Sequence, residues 1–440
     1  MTCHTFFTSR WRRFILALFA TATLIGFGSH YYQTGINAIS RPPSSDFHKF
    51  YLSAQRLRAG LSMYWLVPPR DRRGDACHPD TPDEERAATM PLAGRLTLGG
   101  ELPCLGPNLN PPVFMALMQP LSQLPYAQAW WIWAAFSSIC AVIGVWLMTN
   151  QPGRTLLDRL FLTLLGSTAL FSFYPTLANF SLGQMGTALL PLLTLTWIEL
   201  HRHRFGPAGT WLGLAIALKP FLGFMLLGLL ALQQWKAIVI ALLTILMLSA
   251  FGAMLYGISA YQDYALVANN VHWTATNWNG SWFGFIDRAF ISQADLDWPT
   301  MRPLSKTLGT ICAMATLATL LWRLRHMPRQ GSSDGIDALF ALGLPVTLLA
   351  SPLGWMYYFP ALALSVFIAW QHTNRHSARR TMRWALLLPV TMSLVPITLQ
   401  PSPSPLNPAQ WWGIDAWYFY ALIALAGAAL ASLHSKSVAT

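Results

Sequence analysis

The chain alternates long apolar runs with short basic loops. Apolar runs occupy roughly 14–30, 129–148, 160–174, 185–198, 210–232, 237–256, 308–321, 336–350, 355–370, 384–399 and 416–433. A bilayer takes about 20 apolar residues to cross as a helix, so several of these runs are long enough only to enter it part-way. Within a membrane only structures with internally paired backbone are viable, and runs of this length mean helices. The prediction is an all-α polytopic membrane protein with about 11–12 transmembrane or half-spanning helices. It forms a single domain over 1–440 without an internal repeat. Two long polar stretches break the pattern, a first extracytoplasmic loop over 31–128 and a second over 257–306.

Charge sharpens this picture. The 440 residues are 54% hydrophobic and only 10% charged, against about a quarter charged in a soluble domain. A net charge of +12 would suit a nucleic-acid partner, but Lys and Arg gather in short loops between apolar runs. That is the positive-inside pattern, which points to a membrane and to no nucleic acid. Arg10, Arg12 and Arg13 precede the first apolar run as in a signal peptide, yet no small-residue cleavage site follows, so a retained first span is expected. Arg154 with Arg159, then His201-Arg202-His203-Arg204, then Arg323, Arg325 and Arg329, then Arg375, Arg379, Arg380 and Arg383 all fall inside only if the run 210–232 dips in and returns. Lys219-Pro220 lies at its middle, where a helix must break.

Candidate chemistry gathers in the polar stretches. After Ser44-Ser45, the residues Phe47, Phe50, Tyr51, Ala54 and Leu57 fall at helical spacing with Lys49, Arg56 and Arg58 between them. Gly60 reads as the stop. The expected element is an amphipathic helix at the membrane surface. Asp46 is then either its N-cap or a carboxylate set at the membrane for chemistry. Asn108–Phe114 and Pro120–Pro125 bracket a helix too short to span. Leu182-Gly183-Gln184-Met185-Gly186 opens a span with a polar residue that either binds a ligand or caps the helix. Lys219 stands inside an apolar run, where a cation is a functional hypothesis set against snorkelling to an interface. Asn277–Arg288 mixes aromatics, amides and an arginine, a composition that suits sugar stacking and phosphate pairing as well as a packed loop. Of the five cysteines, Cys77 and Cys104 share the first loop, and on an extracytoplasmic face they are expected to pair as a disulfide. There is no Walker loop, dinucleotide fingerprint or metal-ligand spacing, so no metal or other cofactor is expected.

Taken in order, these residues resemble glycosyltransferase family 87 of the membrane-embedded GT-C superfamily. The matching positions are Asp46-Phe47 with Tyr51, Ala54, Gly60 and Tyr64; Asn110-Pro111-Pro112 with Pro120-Leu121 and Leu124-Pro125; Gly183-Gln184; Gly213-Leu214-Ala215 with Lys219; Asn279 and Ser281 with Arg288; and Ser351-Pro352 with Trp355. Residues 66–106 look like an insertion, and Tyr357 stands where the family often has histidine.

The resemblance implies a GT-C-type fold and a multi-pass protein of the inner membrane. It implies inverting transfer of a hexose, typically mannose, from a polyprenyl-phosphate sugar to a lipid or glycan acceptor on the extracytoplasmic side. Asp46 takes the role of general base, with His48 and Lys49 close enough in sequence to hold it ionised. Lys219 and Arg288 are the candidate phosphate-binding cations. Tyr51, Tyr64, Gln184, Asn279, Trp355 and Tyr357, together with His48 and Lys49, are the expected substrate-facing set. The alternative is a transporter or flippase of lipid-linked sugars, which should show repeated halves with paired broken helices.

Overall fold

A computed structural model describes residues 10–41, 45–65, 108–269, 274–290, 298–327, 333–374 and 416–433. The first helix, α1 (Arg10–Ser40), outruns its apolar stretch. Beyond His30, Tyr31 packs edge-on against Phe171 and Phe180 and donates to the Phe171 carbonyl at 3.0 Å, so the rod continues where the sequence suggested a loop. Next comes α2 (Asp46–Arg58), with Gly60 beyond it at φ +76°. A 3-10 turn (Pro112–Phe114) leads into α3 (Met115–Leu121), the short proline-bracketed helix expected there. The apolar face of α2 packs against protein. Phe47, Phe50 and Ala54 are buried against Phe114, Met115, Trp130 and Trp133, each large side chain contributing about 1.5–3 kcal/mol.

The bundle follows as α4 (Tyr126–Thr149), α5 (Leu156–Phe171), α6 (Tyr174–Leu182), α7 (Gly186–His201), α8 (Phe205–Leu218), α9 (Phe224–Ala231) and α10 (Trp235–Tyr256). It is completed by α11 (Ile258–Asn269), α12 (Trp282–Phe290), α13 (Trp298–Arg325), α14 (Ser333–Ala350), α15 (Ala363–Asn374) and α16 (Trp417–Leu433). Among the described residues five helices are long and apolar enough to cross a membrane, or six with the α5–α6 pair. The chain is an all-α polytopic membrane protein.

Three breaks shape the interior. The predicted one is present: α8 stops at Leu218, Lys219 is extended at φ −141°, ψ 94°, and a 3-10 turn (Pro220–Gly223) precedes α9. Pro220 supplies no N–H and drives the residue before it out of helical geometry. The second break, a 71° bend between α5 and α6, was not visible in the apolar pattern. The third is a buried 3-10 segment, Met356–Leu362, which replaces the first half of the run expected at 355–370.

Residues assigned to one side by the charge pattern meet one another. Arg13 pairs with Asp158 at 2.5 Å. Buried Asp337 accepts from Trp197 Nε1 and lies 2.8 Å from His201 Nε2 and His372 Nε2, tying α7, α14 and α15 together. Residues assigned to the opposite side also meet: Ser62 donates to Asp263, and Asn279 bridges to Trp355.

Candidate functional site

The helix cap decides what Asp46 is available to do. Ser45, at φ −115°, ψ 136°, is the N-cap of α2, and its Oγ accepts from the Phe47 N–H at 3.2 Å. Asp46 is therefore the first helical residue, and its carboxylate turns to other partners. Lys49, one turn on, donates to Oδ1 at 2.5 Å, and Gln184 donates through Nε2 to Oδ2 at 2.6 Å. The two charged side chains keep 17% and 23% of their surface exposed. A negative charge at a helix N-terminus is also favoured by the helix dipole.

Gln184 reaches Asp46 because α6 ends sharply. Gly183 has φ +65°, a conformation that L side chains resist, and a Cβ there would stand 2.5 Å from the Cβ of Phe47. Trp133 Nε1 donates to the Gly183 carbonyl at 2.7 Å, and the Gln184 N–H donates to the Asn179 carbonyl at 2.9 Å. A carboxylate accepts only donors, so Asp46 fixes which end of the Gln184 amide faces it. Oε1 is left buried and without a hydrogen-bond partner among the described residues.

The same junction receives the 3-10 segment 356–362. Asn179 Nδ2 donates to the Tyr357 carbonyl at 3.0 Å, Thr187 donates to Asn179 Oδ1 at 3.1 Å, and the Ser137 and Thr187 hydroxyls meet at 2.5 Å. A Cβ at Gly186 would collide with the Tyr357 carbonyl oxygen. This docking brings Tyr358 to Lys219. The buried ammonium donates to the Tyr358 hydroxyl at 2.9 Å and lies 5.0 Å from the centre of its ring. An ammonium has three N–H donors, and Tyr358 takes one. The indole of Trp355 stacks on Tyr358 with ring centres 6.4 Å apart and also borders Tyr357. Its Nε1 is buried without a partner among the described residues.

The remaining candidates hold the frame. The Tyr51 hydroxyl donates to the Leu124 carbonyl at 2.7 Å and that of Tyr64 to the Asn110 carbonyl at 2.7 Å. Burial raises the Tyr64 phenol well above its usual range, which keeps it a donor. His48 packs edge-on against Tyr126. The Asn279 amide is saturated inside the fold: Nδ2 donates to the Thr274 and Pro352 carbonyls, and Oδ1 accepts from the Ser281 and Gly354 N–H groups. Arg288 Nη1 donates to the carbonyls of Thr276 and Asn279, and Asp287 accepts from Ser305. Arg288 and Asn279 thus brace the loop that carries Trp355.

Asp46, Lys49 and Gln184 meet directly, and Lys219, Trp355 and Tyr357 gather around Tyr358 on the segment docked at the same junction. Tyr358, Asn179, Thr187 and Ser137 belong with them and were not foreseen from sequence. Their only signal is that a polar side chain buried in an apolar helix must find a partner. Among the described residues no three His, Cys, Asp or Glu side chains group as a metal site. Cys77 and Cys104 lie outside the described residues.

Comparison with known proteins bears on this site. The model of glycosyltransferase family 87 matches residues 108–352, more than half of the chain. That span holds Gln184, Lys219, Asn279 and Arg288, whereas Asp46, Trp355 and Tyr357 lie outside it and join it in space. A polyprenol-phosphate-mannose-dependent alpha-(1-2)-phosphatidylinositol mannoside mannosyltransferase of Mycobacterium tuberculosis is 25% identical over 292 residues, which is 63% of this chain and 63% of that relative's length. No solved structure matches. The chain belongs to glycosyltransferase family 87.

Proposed function

We propose that this protein is a membrane-embedded hexosyltransferase, moving mannose from a polyprenyl-phosphate donor to a hydroxyl of a lipid or glycan acceptor at the extracytoplasmic face of the inner membrane. One observation carries the reading: a carboxylate held by Gln184 and Lys49 stands at the helix junction onto which the segment carrying Tyr358, the partner of buried Lys219, is docked. Transfer needs a group to take the proton of the attacking hydroxyl and a group to meet the charge that develops on the leaving phosphate. Asp46 is the base. As the acceptor oxygen attacks the anomeric carbon, the hydroxyl proton passes to the carboxylate and the bond from that carbon to the phosphate oxygen breaks. The electron pair leaves with the phosphate, whose charge rises from one to two, beside Lys219. Attack opposite the leaving group inverts the anomeric centre.

The charges agree with this donor class. Asp46, Lys49 and Lys219 together carry a formal +1, which a singly charged phosphodiester neutralises. The cation at the phosphate is then a protein side chain, so transfer is expected to continue in the presence of a chelator. The donor and the mannoside acceptor named for the mycobacterial relative support mannose transfer. The test is transfer from synthetic polyprenyl-phosphate mannose to a panel of lipid and glycan acceptors by purified protein. Product formation with an inverted anomeric centre is expected. Donor binding or movement across a vesicle membrane without transfer would overturn the enzyme reading in favour of a transporter.

A further inference from the structure

The Gln184 amide has a second end. Its nitrogen is committed to Asp46 Oδ2 at 2.6 Å, and that bond dictates the orientation, because an amide oxygen facing a carboxylate would be repelled. The oxygen is buried, and no described residue donates to it. A buried acceptor left without a donor is unfavourable, so in the working complex a ligand donor is the natural partner. The backbone from which the side chain springs is held in place, and its amide nitrogen is tied to Asp46. Gly183 is fixed by its positive φ, the Trp133 bond and the side of Phe47, and the Gln184 N–H is fixed by Asn179.

We infer, on the basis of the glycosyltransferase reading, that Gln184 is the residue that selects the acceptor, and that it selects a hydroxyl adjacent to the one that reacts. The acceptor hydroxyl that loses its proton must lie within hydrogen-bond reach of Asp46. The Gln184 oxygen is one amide width from the nitrogen bonded to that same carboxylate. A ligand that donates to both oxygens carries its hydroxyls on neighbouring carbons. The acceptor class is therefore a vicinal diol, as in a pyranose or cyclitol ring, and not an isolated alcohol such as a serine side chain or a glycerol end with its neighbour esterified. Gln184 acts in two ways at once, positioning the base and reading the second hydroxyl.

The test uses the full-length protein in detergent with polyprenyl-phosphate mannose as donor. The acceptors are octyl α-D-mannopyranoside and its 2-, 3-, 4- and 6-deoxy analogues, with the product linkage read by NMR. Two analogues should fail, the one lacking the nucleophile and one lacking the hydroxyl on an adjacent carbon. The second should lose about 10²-fold or more in kcat/KM, as sites that read a hydroxyl do. In Gln184→Ala the parent acceptor should fall to the level of that analogue, and the ratio between them should approach one. Gln184→Glu keeps the size of the side chain and sets two carboxylates together. Like charges at that distance share a proton, so its pH–rate profile should move; an unmoved profile would show that the side chain does not face Asp46 and would overturn the inference. Sensitivity to the nucleophile alone, two sensitive positions that are not neighbours, or unchanged discrimination in Gln184→Ala would each overturn the inference while leaving the transferase reading intact. Failure of the wild type to transfer to any pyranoside or lipid acceptor in the panel would remove both.

Discussion

Asp46→Asn separates chemistry from folding with little ambiguity, because Ser45 and not Asp46 caps α2. The replacement keeps the side-chain shape, and the Asn oxygen can still accept from Gln184 Nε2. What is lost is the proton acceptor and the pair with Lys49. That pair is partly exposed, at 17% and 23%, and a pair of this kind contributes about 0–1 kcal/mol. Loss of a general base costs about 10²–10⁴-fold in rate, or about 2.7–5.4 kcal/mol of transition-state stabilisation. Turnover should therefore fall by that factor, while thermal unfolding in detergent and donor binding stay close to wild type. Ser45→Ala provides the mirror image. Removing the cap should lower stability by about 0.5–2 kcal/mol and leave turnover of the folded fraction within a few-fold. The measurements are single-turnover transfer and unfolding midpoint on both purified variants. Turnover of folded Asp46→Asn within about tenfold of wild type would refute the assignment of the base.

Lys219→Met removes a buried charge and leaves an apolar chain of similar length, so the protein should fold. A charge-assisted hydrogen bond to phosphate contributes about 1.5–3 kcal/mol, so donor binding by titration should weaken by about 10–150-fold; unchanged donor affinity would place the phosphate elsewhere. Asn279→Ala strands the Ser281 and Gly354 N–H groups and two carbonyls, each worth about 1–3 kcal/mol when left unpaired in the interior; loss of folded protein in size-exclusion profiles is expected, not a selective loss of donor affinity. A single cysteine at position 46, whose side chain is partly exposed, should label with an impermeant thiol reagent from outside, and those at 329 and 379 only after permeabilisation. Outside labelling at 329 would break the link between the Lys219 break and the charge pattern.

The class of this protein was legible in its sequence because hydrophobic length and loop charge are one-dimensional properties. Runs of 14–23 apolar residues and basic loops specify a helical membrane protein whatever the packing. The Lys219-Pro220 break was equally legible, since proline acts on its own backbone and on the residue before it. The identity of Asp46 as the base candidate rested on motif order, while its freedom from capping required coordinates: with Ser45 and Asp46 adjacent, local preference allows either residue to cap. The reach of Gln184 was not legible either. It depends on a 71° bend between α5 and α6 that carries no strong periodic signal and on a glycine packed against Phe47. Tyr51, Tyr64 and Asn279 read as polar groups available to substrate, but the tertiary structure binds their polar atoms to backbone groups 46–73 residues away for the tyrosines and 73–75 residues away across the Asn279 clip. Sequence determines which groups must be paired when buried. Only the fold decides with which partner, because hydrogen bonds of that range depend on how the helices pack and not on their order along the chain.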